Sequence, residues 1–390
     1  MKVVIIGAGV AGLGIGWKLA KAGASVTVLE RAQAGSGATG ASAGMIAATA
    51  ELGDASTPDA LFAKHSNDLW PAFVKEVEAQ SGLSVGFKRN GSLMVMMKAG
   101  DADNHHAPGS DVSKISAEEA RAMEPLIAEG VAGALWAPKE AMVDTHALAS
   151  GLTAAFAKAG GTLQLNETAV RIETHGGHVT GVRTPFHFYE ADAYILAAGA
   201  WTSRIEGLPR EAVPPVVPIK GEILVLAPPK AGALPARTVW GNAIYVVPRG
   251  DRLLVGATAE QVGFDTAKTQ QAHDWLRHRS SGLMPALRDW EVAEHWVGLR
   301  PASPDGLPIL GPSIIDRLYV ASGQYRNGIL FAPGVADALC RLVLEQLVCP
   351  PAFDPRRFNG SQDCKPGSIV ETAHRAPEGH PEYQPWLIGF

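Results

Sequence analysis

The run Gly7-Ala8-Gly9-Val10-Ala11-Gly12 limits this chain's options most, because of what stands on either side of it. Residues 2–6, KVVII, are continuously apolar, and residues 10–22 are small and apolar at helix-compatible spacing before Gly23. SVTVLE, ending at Glu30, reads as a second strand. Strand, tight turn, helix and strand together make the βαβ opening of a doubly wound dinucleotide-binding fold. In that geometry Gly7 permits the sharp turn, and Gly9 lets the backbone approach a pyrophosphate. Gly12 permits close packing of a helix whose first N–H groups, with those of Val10 and Ala11, favour an anion. Glu30 is placed to accept hydrogen bonds from ribose hydroxyls. A glycine-rich turn without a ligand is the alternative, and the agreement of strand, helix and acid argues against it.

Beyond residue 30 the pattern changes repeatedly. GSGATGASAGMI, residues 35–46, has side chains too small to build a core; it suits either a loop against a flat ligand or a flexible linker. A helix is expected over 58–82, entered at Thr57-Pro58, with Leu61, Phe62, His65, Leu69, Phe73 and Val77 on its apolar face and Pro71 as a kink. GSLMVMM (91–97) reads as a strand, and 100–118, with Asn104, His105, His106 and Pro108, as a surface loop. An alanine-rich helix (146–159), the short strand TLQL, β-type runs joined by Gly176-Gly177 and the buried strand AYILAAG (193–199) follow. From 216 to 258, EILVLA, AIYVVP and LLVGAT alternate with Pro and Gly turns, as in an antiparallel sheet. A helix-like segment (266–278) leads to HWVGLRP, and 317–347 gives strand, glycine-containing loop and helix. The expected fold is α/β: a discontinuous dinucleotide domain from 1–86, 135–213 and 291–350, a smaller α+β substrate domain from 87–134 and 214–290, and a C-terminal arm over 351–390.

The bulk numbers agree with small-molecule chemistry. At 390 residues, 46% hydrophobic, the chain can build a large core in two lobes, and a formal charge of -5 gives no general attraction to nucleic acid. Cys340, Cys349 and Cys364 lack metal or disulfide spacing, so a reducing, cytoplasmic setting fits. The glycines and Lys18 mark the N-terminus as folded domain rather than targeting segment, and no apolar run is long enough to span a bilayer. His65, the His105–His106 pair and His295 read as structural or solvated, and no nucleophile elbow is present. Arg300, in GLRP, is the unaided candidate for bidentate grip on a substrate carboxylate, against the commoner alternative of an arginine paired to an internal acid. Tyr245, in an apolar run, either directs its hydroxyl to the same carboxylate or is a core aromatic. Arg326, in a glycine-containing loop before a helix, meets substrate or the edge of a bound cofactor, or closes its loop by a salt bridge. The helix entered after Asn327-Gly328, near Pro333, offers N–H groups to an anion, or is simply capped.

Taken together, GAGVAG, SAGM, AYILAAGAW, PIKGE, IYVVPR, GATAEQVGFD, WVGLRPASPDGLPILGP and YRNGILFAP resemble, in order and over roughly residues 1–358, the D-amino acid oxidase family of FAD enzymes, in particular its glycine oxidase group. The resemblance implies non-covalent FAD, since no cysteine stands in 296–304, where covalent relatives carry one. It implies that Ala43, Gly44 and Met45 line the flavin, that Val170 meets the adenine half through its backbone, and that the loop Gln324, Tyr325, Arg326, Asn327, Gly328, Ile329, Leu330 passes the ring system. Arg31, Ala38, Thr39, Gly199 and Trp201 complete the expected cofactor contacts. It assigns Arg300, with Tyr245 and Arg326, to substrate. The implied reaction is hydride transfer from a small amine such as glycine, sarcosine or a small D-amino acid to flavin N5, with no obligatory side-chain base. An imine, a 2-oxo acid and hydrogen peroxide follow, with a link to thiamine thiazole synthesis. Small amine and oxygen are the expected partners, and self-association is left open. A dehydrogenase using a quinone or carrier, and a flavin-binding module without turnover, are the rivals. Ala259 departs from a methionine found near the substrate in a better-known branch, which leaves pocket width and preference open.

Overall fold

The computed structural model describes residues 1–53, 56–98, 112–229, 234–345, 347 and 349–359. Most of the expected surface loop over 100–118, with His105 and His106, and the chain beyond 359 with Cys364, lie outside the described residues; the end of that loop is instead an edge strand, Ser113–Ile115, and the start of a helix at Ala117 capped by Ser116. Lys2–Ile6 is the centre of a six-stranded sheet ordered Ile309–Pro312, Leu318–Ser322, Ala193–Leu196, Lys2–Ile6, Ser25–Glu30, Thr162–Leu165. All neighbours are parallel except the Ile309–Pro312 edge, and Val3 lies opposite both Val26 and Ala193. The apolar run is continuous because both faces are covered. Val3 and Ile5 face a layer containing the helices Val10–Lys21, Pro58–Ser81, Thr145–Lys158 and Ala332–Glu345. Val4 and Ile6 face a three-stranded antiparallel sheet, Arg171–His175, His178–Arg183 and Phe188–Tyr189, rather than a second helical layer. Its hairpin turns on Gly176 and Gly177, both at positive φ (57° and 81°), where glycine carries no steric penalty.

An eight-stranded sheet forms the other lobe, in the order Glu291–Ala302, Val217–Ala227, Arg252–Gly256, Ile244–Arg249, Thr238–Gly241, Ser92–Met96, Gly133–Ala137, Ser113–Ile115. Leu224, Val246 and Val255 pack beneath the Gln270–Leu283 helix, capped by the Thr269 hydroxyl. The alternate residues Ile223, Val225, Tyr245 and Leu254 face Ala43, Met45 and Met142 on the other side. The tyrosine thereby comes to face the dinucleotide lobe.

Several expectations change. Residues 291–302, assigned to the dinucleotide lobe, pair antiparallel with Val217–Ala227 from Ala302↔Val217 to Glu291↔Ala227 and so belong to the large sheet. The boundary at 135 cuts a strand, since Gly133–Ala137 pairs with Ser92–Met96. On the Pro58–Ser81 helix, Leu61 and His65 are exposed and Ser66 and Trp70 are buried instead. The Trp70 indole donates to the Leu330 carbonyl at 3.0 Å and the Ser66 hydroxyl to that of Phe331 at 3.2 Å, so polar partners override the apolar count. The helix runs through Pro71 and stops at Gly82, whose φ is +75°. The start of the expected arm is packed: Phe353 is fully buried against Phe62, and Arg357 pairs with Asp305 at 2.7 Å. Among the described residues no helix is long and apolar enough to cross a membrane.

Candidate active site

One groove of about 440 Å³ runs from the glycine turn across the crevice between the lobes to the large sheet, a size in the range of cofactor and small-ligand sites. The turn is built by close approaches. A Cβ at Gly7 would lie 2.4 Å from the Ala197 carbonyl oxygen, and one at Gly12 would lie 1.9 Å from that of Gly7. Gly9 opens the Val10–Lys21 helix with no side-chain cap of its own; the Thr39 hydroxyl accepts the Val10 N–H from another loop at 3.0 Å. The small-residue stretch is a folded loop: Gly35 N–H donates to Ala8 O at 2.8 Å and Gly40 N–H to Gly35 O at 2.7 Å. Glu30 is held at the groove wall by the N–H groups of Ala8 and Ala32, at 2.8 and 3.0 Å. The Arg31 guanidinium lies 3.4 Å over the Trp201 ring at the rim.

Of the candidate residues, Gly7, Gly9, Val10, Ala11, Glu30, Arg31, Ala38, Thr39, Ala43, Met45, Val170, Gly199, Trp201, Gln324, Tyr325, Arg326, Gly328 and Ile329 line this groove. Gly12, Gly44, Asn327 and Leu330 do not. Gly12 packs helix on turn; Gly44, at φ +83°, lets the loop pass Val143. Leu330 is in the core beside Trp70, and Asn327 caps the turn by accepting the Phe331 N–H on its carbonyl at 2.8 Å. Val170 has its N–H committed to Arg183 O and its carbonyl to Glu206 N–H, so only the carbonyl's second lone pair can meet a ligand. Tyr325 sits at φ +47°, a strained conformation for a bulky residue, with its N–H fixed on Pro301 O at 2.8 Å.

The far end of the groove is charged. Arg300 lies flat over Gly221, where any Cβ would be 2.3 Å from its Nη1. That Nη1 donates to Thr258 O at 3.0 Å, and among the described residues no carboxylate lies within ion-pair distance of the guanidinium, which removes the internal-acid alternative. Tyr245, 5% exposed, stands over Gly256. Burial pushes its phenol pKa up, against the pull of Arg300 and Arg326, so it remains a neutral hydrogen-bond donor. Arg326 is engaged at one atom: its Nε donates to Glu51 at 3.0 Å. Burial works against the Arg326 charge, and Glu51, Tyr325 and Tyr245 more than offset it, raising its pKa.

Ala259, 6% exposed, packs with Ile219, Ala302 and Tyr325 behind the groove rather than in its wall. His295, 15% exposed, faces the buried Glu222, and burial lowers its pKa. Sequence reasoning missed Glu51, Gly221, Arg249 and Glu140. Arg249 carried a readable signal, because 245, 247 and 249 share one face of a strand. Its Nη2 donates to Ser42 O at 2.9 Å and burial lowers its pKa. Glu140 is fully enclosed. One oxygen accepts the N–H groups of Thr49 and Ala50 at 3.0 and 2.8 Å, the other meets the Ser92 hydroxyl, and burial raises its pKa to about 7.

A dinucleotide carrying a flavin fits these residues: the helix start suits a pyrophosphate and Glu30 a ribose. The groove-lining Gln324 holds a buried Nε2 with no hydrogen-bond partner among the described residues, which suits the polar edge of a ring system. Comparison with known proteins points the same way. The bifunctional protein ThiO/ThiG of Synechocystis sp. is 37% identical over 366 residues, 91% of this chain and 54% of that protein. This chain thus spans about half the length of such bifunctional relatives. The glycine oxidase of Geobacillus kaustophilus is 36% identical over 343 residues, covering 85% of this chain and 89% of that one. The crystal structure of glycine oxidase from Geobacillus kaustophilus superposes with a TM-score of 0.84 at 33% identity, covering 91% of this chain and 98% of that chain. Residues 2–342 match the DAO family of FAD dependent oxidoreductases, and the chain belongs to that family.

Proposed function

We propose that this chain oxidises the carbon–nitrogen bond of glycine and other small carboxylate-bearing amines, sarcosine and small D-amino acids among them, to the imine. Hydrolysis gives the 2-oxo acid and ammonia or amine, and oxygen becomes hydrogen peroxide. The observation that carries the reading is Arg300: a cation at the end of a cofactor groove, braced by Thr258 O, with no carboxylate among the described residues within ion-pair distance. Bound FAD supplies the two-electron oxidation, as hydride acceptor from the α-carbon and donor to oxygen. The protein's part is binding and alignment. Arg300 takes the carboxylate through its remaining N–H groups, and the neutral Tyr245 phenol donates to the same group. Gly221 and Gly256 leave room for both side chains to lie flat against the sheet. No carboxylate or imidazole is required as base, because a neutral amine can release its hydride directly. The likeness to the bifunctional ThiO/ThiG proteins supports a further reading, that the glycine imine feeds thiamine thiazole synthesis.

Anaerobic mixing of the purified yellow protein with glycine, sarcosine and D-alanine tests this. The flavin absorbance should bleach, and air should restore it with stoichiometric peroxide. A flavin that stays oxidised with all three amines sinks the assignment; bleaching without reoxidation by air transfers it to the dehydrogenase reading.

A further inference from the structure

We propose that the Glu51–Arg326 ion pair is a charge filter that restricts this site to substrates with one carboxylate, and that neutralising Glu51 opens it to dicarboxylates. The inference rests on the reading of the groove end as a carboxylate-binding site. Glu51 lies on a short helix, Ala48–Leu52, which directly follows the loop lining the groove. The helix is fixed from outside, because Glu140 accepts the N–H groups of Thr49 and Ala50 and also meets Ser92 of the large sheet. Glu51 therefore does not wander to solvent; its side chain is 10% exposed and its carboxylate holds Arg326 Nε at 3.0 Å. Glu51, Tyr245, Arg300 and Arg326 line the same cavity, and the charges of the other three all act on the Tyr245 hydroxyl. Arg249 is bonded to Ser42 O and does not line this cavity, so it does not enter the count.

Among the described residues, the charged side chains at this end are two cations, Arg300 and Arg326, against one anion, Glu51. The surplus is one positive charge, matched by one substrate carboxylate. A second carboxylate in this enclosed space would face Glu51 while Arg326 is already paired, and like charges at low dielectric are strongly disfavoured. Removing the Glu51 charge leaves Arg326 part-buried and unpaired, a state that recruits an anion. Its terminal amino groups make no protein hydrogen bond among the described residues, so they can receive one. Glu51 thus acts on selectivity through Arg326 and is a positioning residue rather than a catalytic one.

The test uses binding, so it is independent of turnover. Methoxyacetate and diglycolate are the oxygen analogues of sarcosine and iminodiacetate, with one and two carboxylates and no amine to oxidise. Calorimetric titration of the purified holoprotein should give methoxyacetate at least tenfold tighter than diglycolate. In Glu51→Gln the ratio of the two dissociation constants should move at least a hundredfold towards diglycolate, and adding Arg326→Met should abolish that gain. Glu51→Asp, which keeps the charge, should keep the preference for methoxyacetate. Wild-type binding of the two within threefold overturns the proposal even if Glu51→Gln does not fold, as does an unchanged ratio in a folded Glu51→Gln. Failure of amine oxidation would show instead as a flavin that no amine bleaches, with these binding ratios unaffected.

Discussion

The two ends of the groove are made from different materials. At the glycine turn the ligand-facing surface is mostly backbone and small side chains, and its geometry is enforced by contacts such as that of Gly12 on Gly7 O. At the large sheet it is charge and hydroxyl, collected from positions 51, 245, 300 and 326 on four separate segments. The first end should therefore fail as structure and the second as chemistry. Backbone surfaces leave no side chain to trim, whereas a side chain set over a glycine can be replaced with its surroundings intact.

Substitutions at each end should separate these behaviours. Gly12→Val puts a branched side chain where a single Cβ already meets backbone at 1.9 Å, and should cost more than about 4 kcal/mol. Soluble yield, melting temperature and flavin-to-protein ratio should all collapse together; a stable, yellow Gly12→Val protein would break the comparison. Arg300→Met should lose about 4 kcal/mol of transition-state binding, roughly a thousandfold in kcat/KM for glycine, while the flavin content stays at the wild-type level. Loss of flavin alongside activity would show that the two ends are not separable.

Glu140 sharpens the contrast at the seam, since it ties the Ala48–Leu52 helix to Ser92. Its folded pKa of about 7 lies above the ordinary 4.5, so folding favours the protonated form. The stability contribution is complete below pH 4.5 and is lost as pH rises through about 7, a swing of about 3 kcal/mol at most. Denaturant midpoints measured from pH 5 to 8 should decline in the wild type and run flatter in Glu140→Gln, which has no proton to lose. Parallel slopes would remove Glu140 from this role.

The same difference governs what could be read from the chain. Gly7, Gly9, Gly12 and Glu30 were legible because the strand–turn–helix–strand pattern that marks them is local, even though the Ala197 carbonyl that crowds Gly7 comes from a distant strand end. Arg300 and Tyr245 were legible as residue types, yet their pairing across the sheet came only through family resemblance. The Glu51–Arg326 pair spans 275 positions, and neither residue has a local signature; the loop salt bridge weighed for Arg326 had no named acid. The allotment of 291–302 failed for a related reason. An alternating strand does not say which sheet it joins, and the flanking strand-loop-helix at 317–347 drew it towards the wrong one. On the Pro58–Ser81 helix, periodicity counted Leu61 and His65 inward, because it cannot see that Trp70 and Ser66 have carbonyl partners waiting near residue 330.

The ladder that carries Arg300 has an irregularity at Val225/Leu226, where pairing steps from Glu294 to Val292. Everything between that bulge and the groove, Val217–Val225 against Glu294–Ala302, keeps strict register. Alternation along a strand means that gaining or losing one residue within this stretch turns Arg300 to the opposite face. Beyond the bulge one unmatched residue is already absorbed. Length changes during divergence should thus accumulate towards Ala227 and Glu291 and be purged from the nine pairs nearer the groove, so that this chain's descendants inherit their anchor as a matter of counting as much as of chemistry.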